Sequence, residues 1–73
     1  MEEITKIVHI DGMQCNHCKM AVEKVLKKFD GVVSAEVDLE KKIAVMDYEG
    51  IIEDEAIKSV IIEEGFEVVK IED

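Results

Sequence analysis

A chain of 73 residues with 48% hydrophobic content can bury the core of one small domain, expected to span residues 1–73, and no more. Its net charge of −9, with lysine as the only strongly basic residue, argues against a nucleic-acid-binding face, which needs an excess of base to neutralise phosphates. No run approaches the roughly 18 apolar residues of a membrane span, so direct membrane insertion is not expected.

Residues 4–10 predict a strand, with Ile4, Val8 and Ile10 on one face and Ile7 and His9 on the other. From about residue 17 to 29 the apolar period lengthens to that of a helix, through Ala21, Val22, Val25, Leu26 and Phe29. Asp30-Gly31 stops that helix. Residues 32–39 then alternate, with Val33, Ala35, Val37 and Leu39 expected inward and Ser34, Glu36 and Asp38 outward. Glu40-Lys41-Lys42 is a tight connection to a strand over residues 43–48, which predicts a hairpin. Gly50 opens a loop, and a second helix over about 53–64 carries Ile57, Val60 and Ile61 as its apolar stripe. Gly65 ends it, and residues 66–71 form the last strand.

The order strand-helix-strand-strand-helix-strand, joined by right-handed crossovers, puts both helices on one face of a four-stranded antiparallel sheet. The expected fold is therefore α+β, a ferredoxin-like βαββαβ sandwich. On its open face Ile7, Ile43 and Val45, joined by Val69 and Ile71, would form an apolar patch suited to a sheet-face homodimer. The alternative is β-branched residues that serve strand propensity and are half covered by lysine and glutamate stems. Charge is uneven as well. Lys19, Lys24, Lys27 and Lys28 fall on the first helix, and Glu53, Asp54, Glu55, Glu63 and Glu64 on the second. These are either ordinary solvated faces or, for the basic one, a patch that orients a partner.

Both cysteines of the chain, Cys15 and Cys18, lie in the segment between the first strand and the first helix. A helix N-terminus lowers a thiol's pKa, because its unpaired N–H groups and dipole favour negative charge. Two close cysteines in such a chain read as a metal or redox pair and not as a disulfide framework. The acidic start Met1-Glu2-Glu3 is unlike a signal peptide, and the expected location is cytoplasmic. Soft thiolates select Cu(I), and Zn(II) to a lesser degree. Zinc wants three or four ligands, and the extra candidates are His17, His9 and Asp11. Two sulfurs suffice for Cu(I) and leave room for a third from a partner. That under-coordination suits transfer by ligand exchange.

Gly12-Met13-Gln14-Cys15-Asn16-His17-Cys18 resembles the Gly-Met-x-Cys-x-x-Cys signature of the heavy-metal-associated domain. Val37-Asp38-Leu39, then Ala44, Met46 and Tyr48, and Glu63-Glu64-Gly65-Phe66-Glu67-Val68 are similar to the family's second half in order and spacing. The resemblance implies that Cys15 and Cys18 bind the metal and that Met13 is an apolar anchor beneath the loop. It implies a Cu(I) carrier, not an enzyme, whose partner is the metal-binding domain of a copper-transporting P-type ATPase, with Zn(II)- and Hg(II)-binding relatives as alternatives. The alternative is one metal-binding domain of such an ATPase, with the initiating Met1 and the completed final strand favouring a free-standing protein. His17 is similar to the Cys-x-His-Cys version of bacterial copper chaperones, as an auxiliary ligand in a metal-linked dimer, as a nearby cation that tunes the thiolates when protonated, or as an exposed neighbour. Gln14 stands where zinc-selective relatives often carry an acid. Phe66 stands where bacterial copper chaperones commonly have tyrosine and eukaryotic ones lysine. Met20 and Met46 read as packing residues, and His9 as no ligand. Two other readings compete: a thiol-disulfide oxidoreductase, disfavoured by short length and the lack of tryptophan and proline, and an interaction domain with incidental cysteines.

Overall fold

The computed structural model describes residues 3–72, so the first two residues of the acidic start, Met1 and Glu2, lie outside the described residues. The elements are β1 (Ile4–Asp11), α1 (Asn16–Lys27), β2 (Val32–Asp38), β3 (Ile43–Tyr48), α2 (Asp54–Glu63) and β4 (Glu67–Glu72). The strands form one antiparallel sheet in the order β2-β3-β1-β4, as the ferredoxin-like reading requires.

Helical and strand periodicities meet in one core. Val8 and Ile10 of β1, Ala44 and Met46 of β3, Val22 and Leu26 of α1, and Ile57 and Ile61 of α2 are all essentially inaccessible to solvent. Each sits where its element's period points it at the opposite layer. The two edges of the sheet depart from simple alternation, because each carries a register shift. Between Val32 and Ser34 the β2–β3 pairing slips, which turns Val33 out to 54% exposure and brings Val32 against the core. The expectation that Val33 faces inward is therefore corrected. A bulge inserts an unpaired residue, and residues on either side of it change their alternation.

The β1–β4 pairing slips between His9 and Ile10, so that Ile10 faces Val68 and Val8 faces Ile71. Val68 and Ile71 both pack on the core, and the extra residue Val69 is left 67% exposed. Ile71 thus leaves the proposed open-face patch, which shrinks to half-buried Ile7, Ile43 and Val45 beside exposed Val69. Around these three the outer face is polar. Asp47 accepts hydrogen bonds from Thr5 at 2.5 Å and Ser34 at 3.0 Å, and His9 Nε2 lies 2.5 Å from Glu72 Oε2. That pairing, with a Lys70 contact behind it, holds the Glu72 carboxyl below its ordinary pKa.

Lys6 lies on the inner face between Ile4 and Val8, where parity alone would place an apolar residue. Its side chain is 12% exposed, bonds the Asp54 carboxylate, and reaches the Ile52 carbonyl at 3.4 Å. The polar head of Lys6 therefore clamps β1 to the start of α2.

Candidate metal centre

Between β1 and α1 the chain must reverse over four residues, Gly12 to Cys15. Gly12 makes the first bend at a φ of +99°, a region that side chains disfavour, and its N–H donates to Asp11 Oδ1 at 3.0 Å. Met13 follows and is buried, 6% exposed, within the hydrophobic core. The anchor expected beneath the loop is therefore in place. With Met13 held down, Gln14 and Cys15 are left on the surface.

Cys15 is the N-cap of α1, in extended conformation, and its carbonyl accepts the first helical hydrogen bond from Lys19 N at 3.1 Å. Its side chain makes no capping bond to the helix backbone. Cys18 lies in the first turn and is half-buried against the core. The two sulfurs, both free thiols, are 3.5 Å apart. No acidic residue occupies the first turn of α1, whereas Lys24 and Lys27 occupy its last turn. The positive end of the helix dipole is thus left for the sulfurs to neutralise. Cys18 is held below its ordinary thiol pKa, chiefly by a backbone hydrogen bond at Gln14 and next by the Cys15 sulfur. A pair of thiols with these properties can present thiolate to a soft cation.

One wall of the site comes from the far end of the chain. After α2, Gly65 N bonds to Ile62 O at 2.9 Å and Phe66 N to Ile61 O at 3.3 Å, with Gly65 at a φ of +96°. This is a Schellman closure, and it delays the start of β4 by one residue relative to the expected Phe66. It also delivers the Phe66 ring to the loop: a Cβ built on Gly12 would stand 3.6 Å from Phe66 Cδ1. Phe66 is apolar, half-buried against the core, and brings neither hydroxyl nor charge to the sulfurs.

Other residues named from the sequence fall elsewhere. His9 is engaged with Glu72 on the outer sheet face, and the Asp11 carboxylate turns to its neighbouring N–H. His17 is exposed beside the pair, with no side-chain hydrogen bond among the described residues. Among those residues no group of three or more His, Cys, Asp or Glu is placed to hold one metal ion. Met46 is fully buried as expected, but Met20 is 65% exposed. Two residues before Val22, it lies about 200° round the helix from the core stripe, so its apolar character misleads. Periodicity also missed Glu23, whose carboxylate leaves the solvated face to accept Val37 N at 3.0 Å and tie α1 to the edge strand.

No helix among the described residues is long and apolar enough to cross a membrane. The chain is 44% identical over 66 residues to the copper chaperone CopZ of Staphylococcus haemolyticus, covering 89% of this chain and 97% of that one. A solved structure described as a CopZ metallochaperone superposes with a TM-score of 0.85 at 37% identity, covering 90% of this chain and all of that one. A copper-binding domain from a P-type ATPase gives 0.80 at 31% identity, over 96% of this chain and all of that one. The sequence profile of the heavy-metal-associated domain matches residues 7–67, from the middle of β1 through the cysteine pair to the first residue of β4. With its fold, its loop and most of its length in agreement, the chain belongs to the heavy-metal-associated domain family.

Proposed function

We propose that this protein is a copper metallochaperone that holds Cu(I) between Cys15 and Cys18 and passes it, by exchange of thiolate ligands, to the metal-binding domain of a copper-transporting P-type ATPase. It is a non-catalytic carrier, and its place of work is the cytoplasm. The observation that carries this reading is the 3.5 Å approach of two free thiols at an uncapped helix N-terminus, one of them exposed. The similarity to copper chaperones over nearly the whole chain supports it.

The donor set argues for the metal. Two thiolates satisfy an ion that accepts linear coordination, and zinc needs further ligands that the described residues do not gather. Two thiolates on opposite sides of one ion must stand farther apart than the 3.5 Å of the empty pair, so loading opens it. Cys15 can supply that motion, because its side chain bears no capping bond. An exposed Cys15 also gives a partner's sulfur a line of approach, so the ion can change hands without release. Lys19, next to Cys18, puts a positive charge beside the loop that favours an acidic partner surface there, while Lys24, Lys27 and Lys28 lie at the far end of α1.

The test is an anaerobic competitive titration of the reduced protein with Cu(I), Zn(II) and Hg(II), on wild type and on Cys15→Ser. The expected result is one Cu(I) bound far more tightly than Zn(II), with tight binding lost in the variant. Zinc affinity equal to or above that for Cu(I) overturns the metal assignment. Transfer is tested by mixing the loaded protein with an ATPase metal-binding domain in the presence of a Cu(I) chelator excluded from the complex. Copper captured by the chelator before it reaches the domain would refute direct exchange.

A further inference from the structure

We propose that the helical face of the sandwich binds a second copy of this chain, forming a metal-independent two-fold dimer in which α1 of each protomer lies on α2 of the other. This surface is distinct from the cysteine loop and is built from residues that copper binding does not use.

The two helices carry opposite charge. Lys19, Lys24, Lys27 and Lys28 stand against Glu23 alone on α1, whereas α2 with its caps bears five acids and the single base Lys58. The helical layer is therefore close to neutral, and most of the chain's excess negative charge lies elsewhere. Lys24, Lys27 and Glu55 are exposed and enter no ion pair among the described residues. Apolar side chains share this face. Met20 and Ile62 are 65% and 58% exposed. Between the helices an open groove of about 450 Å³ is lined by Val25, Phe29 and Val60 together with Lys28, Glu63 and Glu64.

Register selects the occupant. Strands β1 and β3 run antiparallel, so the helices that follow them do as well. The approach of Phe66 to Gly12 sets the C-terminus of α2 at the same end as the N-terminus of α1. On the exposed side, Met20, Lys24 and Lys27 recur at i, i+4 and i+7 along α1, and Glu55, Ser59 and Ile62 do so along α2. A two-fold axis parallel to the helices lays one ridge on the other, antiparallel and with the loop ends together. Met20 of one copy then meets Ile62 of the other, Lys24 meets Ser59, and Lys27 meets Glu55, each contact occurring twice. An axis across the helices would instead lay α1 on α1, lysine against lysine, and the charges reject it.

The test is sedimentation equilibrium of the reduced, metal-free protein at about 0.15 M salt, on wild type, Lys27→Glu, Glu55→Lys and the variant with both changes. Wild type should show a reversible monomer–dimer equilibrium, and each single reversal should weaken it by at least about tenfold, because the like-charge contact is made twice. The double reversal restores an opposite pair and should recover association to within about threefold of wild type. Net charge cannot imitate this pattern. Lys27→Glu makes the chain more negative and Glu55→Lys less so, and general repulsion would move the two in opposite directions. A protein that stays monomeric up to about 1 mM, a dimer that forms only with Cu(I), or one that ignores the reversals would overturn the proposal. So would a double variant that associates as poorly as the single ones.

Discussion

The two strand-to-helix junctions of the sandwich are built alike and end in opposite chemistry. Each bends at a glycine with φ above +90°, Gly12 in one and Gly50 in the other, three residues before the helix N-cap. Each buries one apolar residue beneath the turn, Met13 in the first and Ile52 in the second, at 6% and 8% exposure. Neither N-cap side chain, Cys15 or Glu53, makes a capping bond. At the second junction Asp54 and Glu55 fill the first helical turn, so the positive helix end is neutralised from within, and Lys6 ties Asp54 to β1. At the first junction no acid occupies the first helical turn, and two sulfurs stand in its place. The shared architecture supports both loops, and under the proposed function the missing neutralisation suits the one that holds the metal. That vacancy of charge is costly to helix stability and useful to a thiolate.

The largest effect should come from restoring a normal cap. Serine is among the best N-cap residues and cysteine is not. Cys15→Ser should therefore raise the stability of the metal-free protein by about 0.5–1 kcal/mol while weakening Cu(I) binding by about a thousandfold or more, some 4 kcal/mol. Thermal melting and Cu(I) competition read the two quantities independently. Glu53→Ser at the matching position should gain similar stability and leave metal affinity unchanged. If both variants altered binding, the division of labour between the junctions would fail.

Next come the two buried anchors. Met13→Ala and Ile52→Ala each remove a core side chain and should each cost about 2–4 kcal/mol in chemical denaturation. Only Met13→Ala should also weaken Cu(I) binding, by about tenfold, because it releases the loop that holds Cys15 in place. Equal loss of affinity in Ile52→Ala would mean that global loosening, and not local support, explains the effect.

What could be read from the chain follows the same divide. The element order and the Cys15–Cys18 pair rest on local signals, periodicity and residue spacing, and Met13 as an anchor rests on the resemblance to the family's loop signature. Val33 and Met20 depart from expectation because an apolar side chain need not be buried, and Ile71 departs the other way, since it packs on the core and not on the open face. At Val33 and Ile71 the alternation is broken by a slipped register, which depends on the neighbouring strand and leaves no trace in the strand's own sequence. Phe66 meets Gly12 only through the Schellman closure of α2, a contact between opposite ends of the chain. Lys6 did carry a signal, since parity puts it on the buried face, but its partner Asp54 could be found only with both in place.

That clamp gives the smallest effect and the most selective one. The Lys6 ammonium is held above its ordinary pKa, foremost by its hydrogen bond to Asp54. A raised folded-state pKa favours the folded protein wherever the unfolded lysine is protonated, below about pH 10.4. The contribution is complete there and fades as pH climbs through the higher folded-state value. Lys6→Met keeps the apolar stem that lies on the inner face and removes the ammonium. It should cost about 1 kcal/mol at neutral pH, and the difference from wild type should close in strongly alkaline solution. Because Lys6 serves only the second junction, Cu(I) affinity should stay within about twofold of wild type. A difference in stability that persisted undiminished above the lysine range would show that Lys6 acts by packing alone and that its ion pair with Asp54 adds nothing to the clamp.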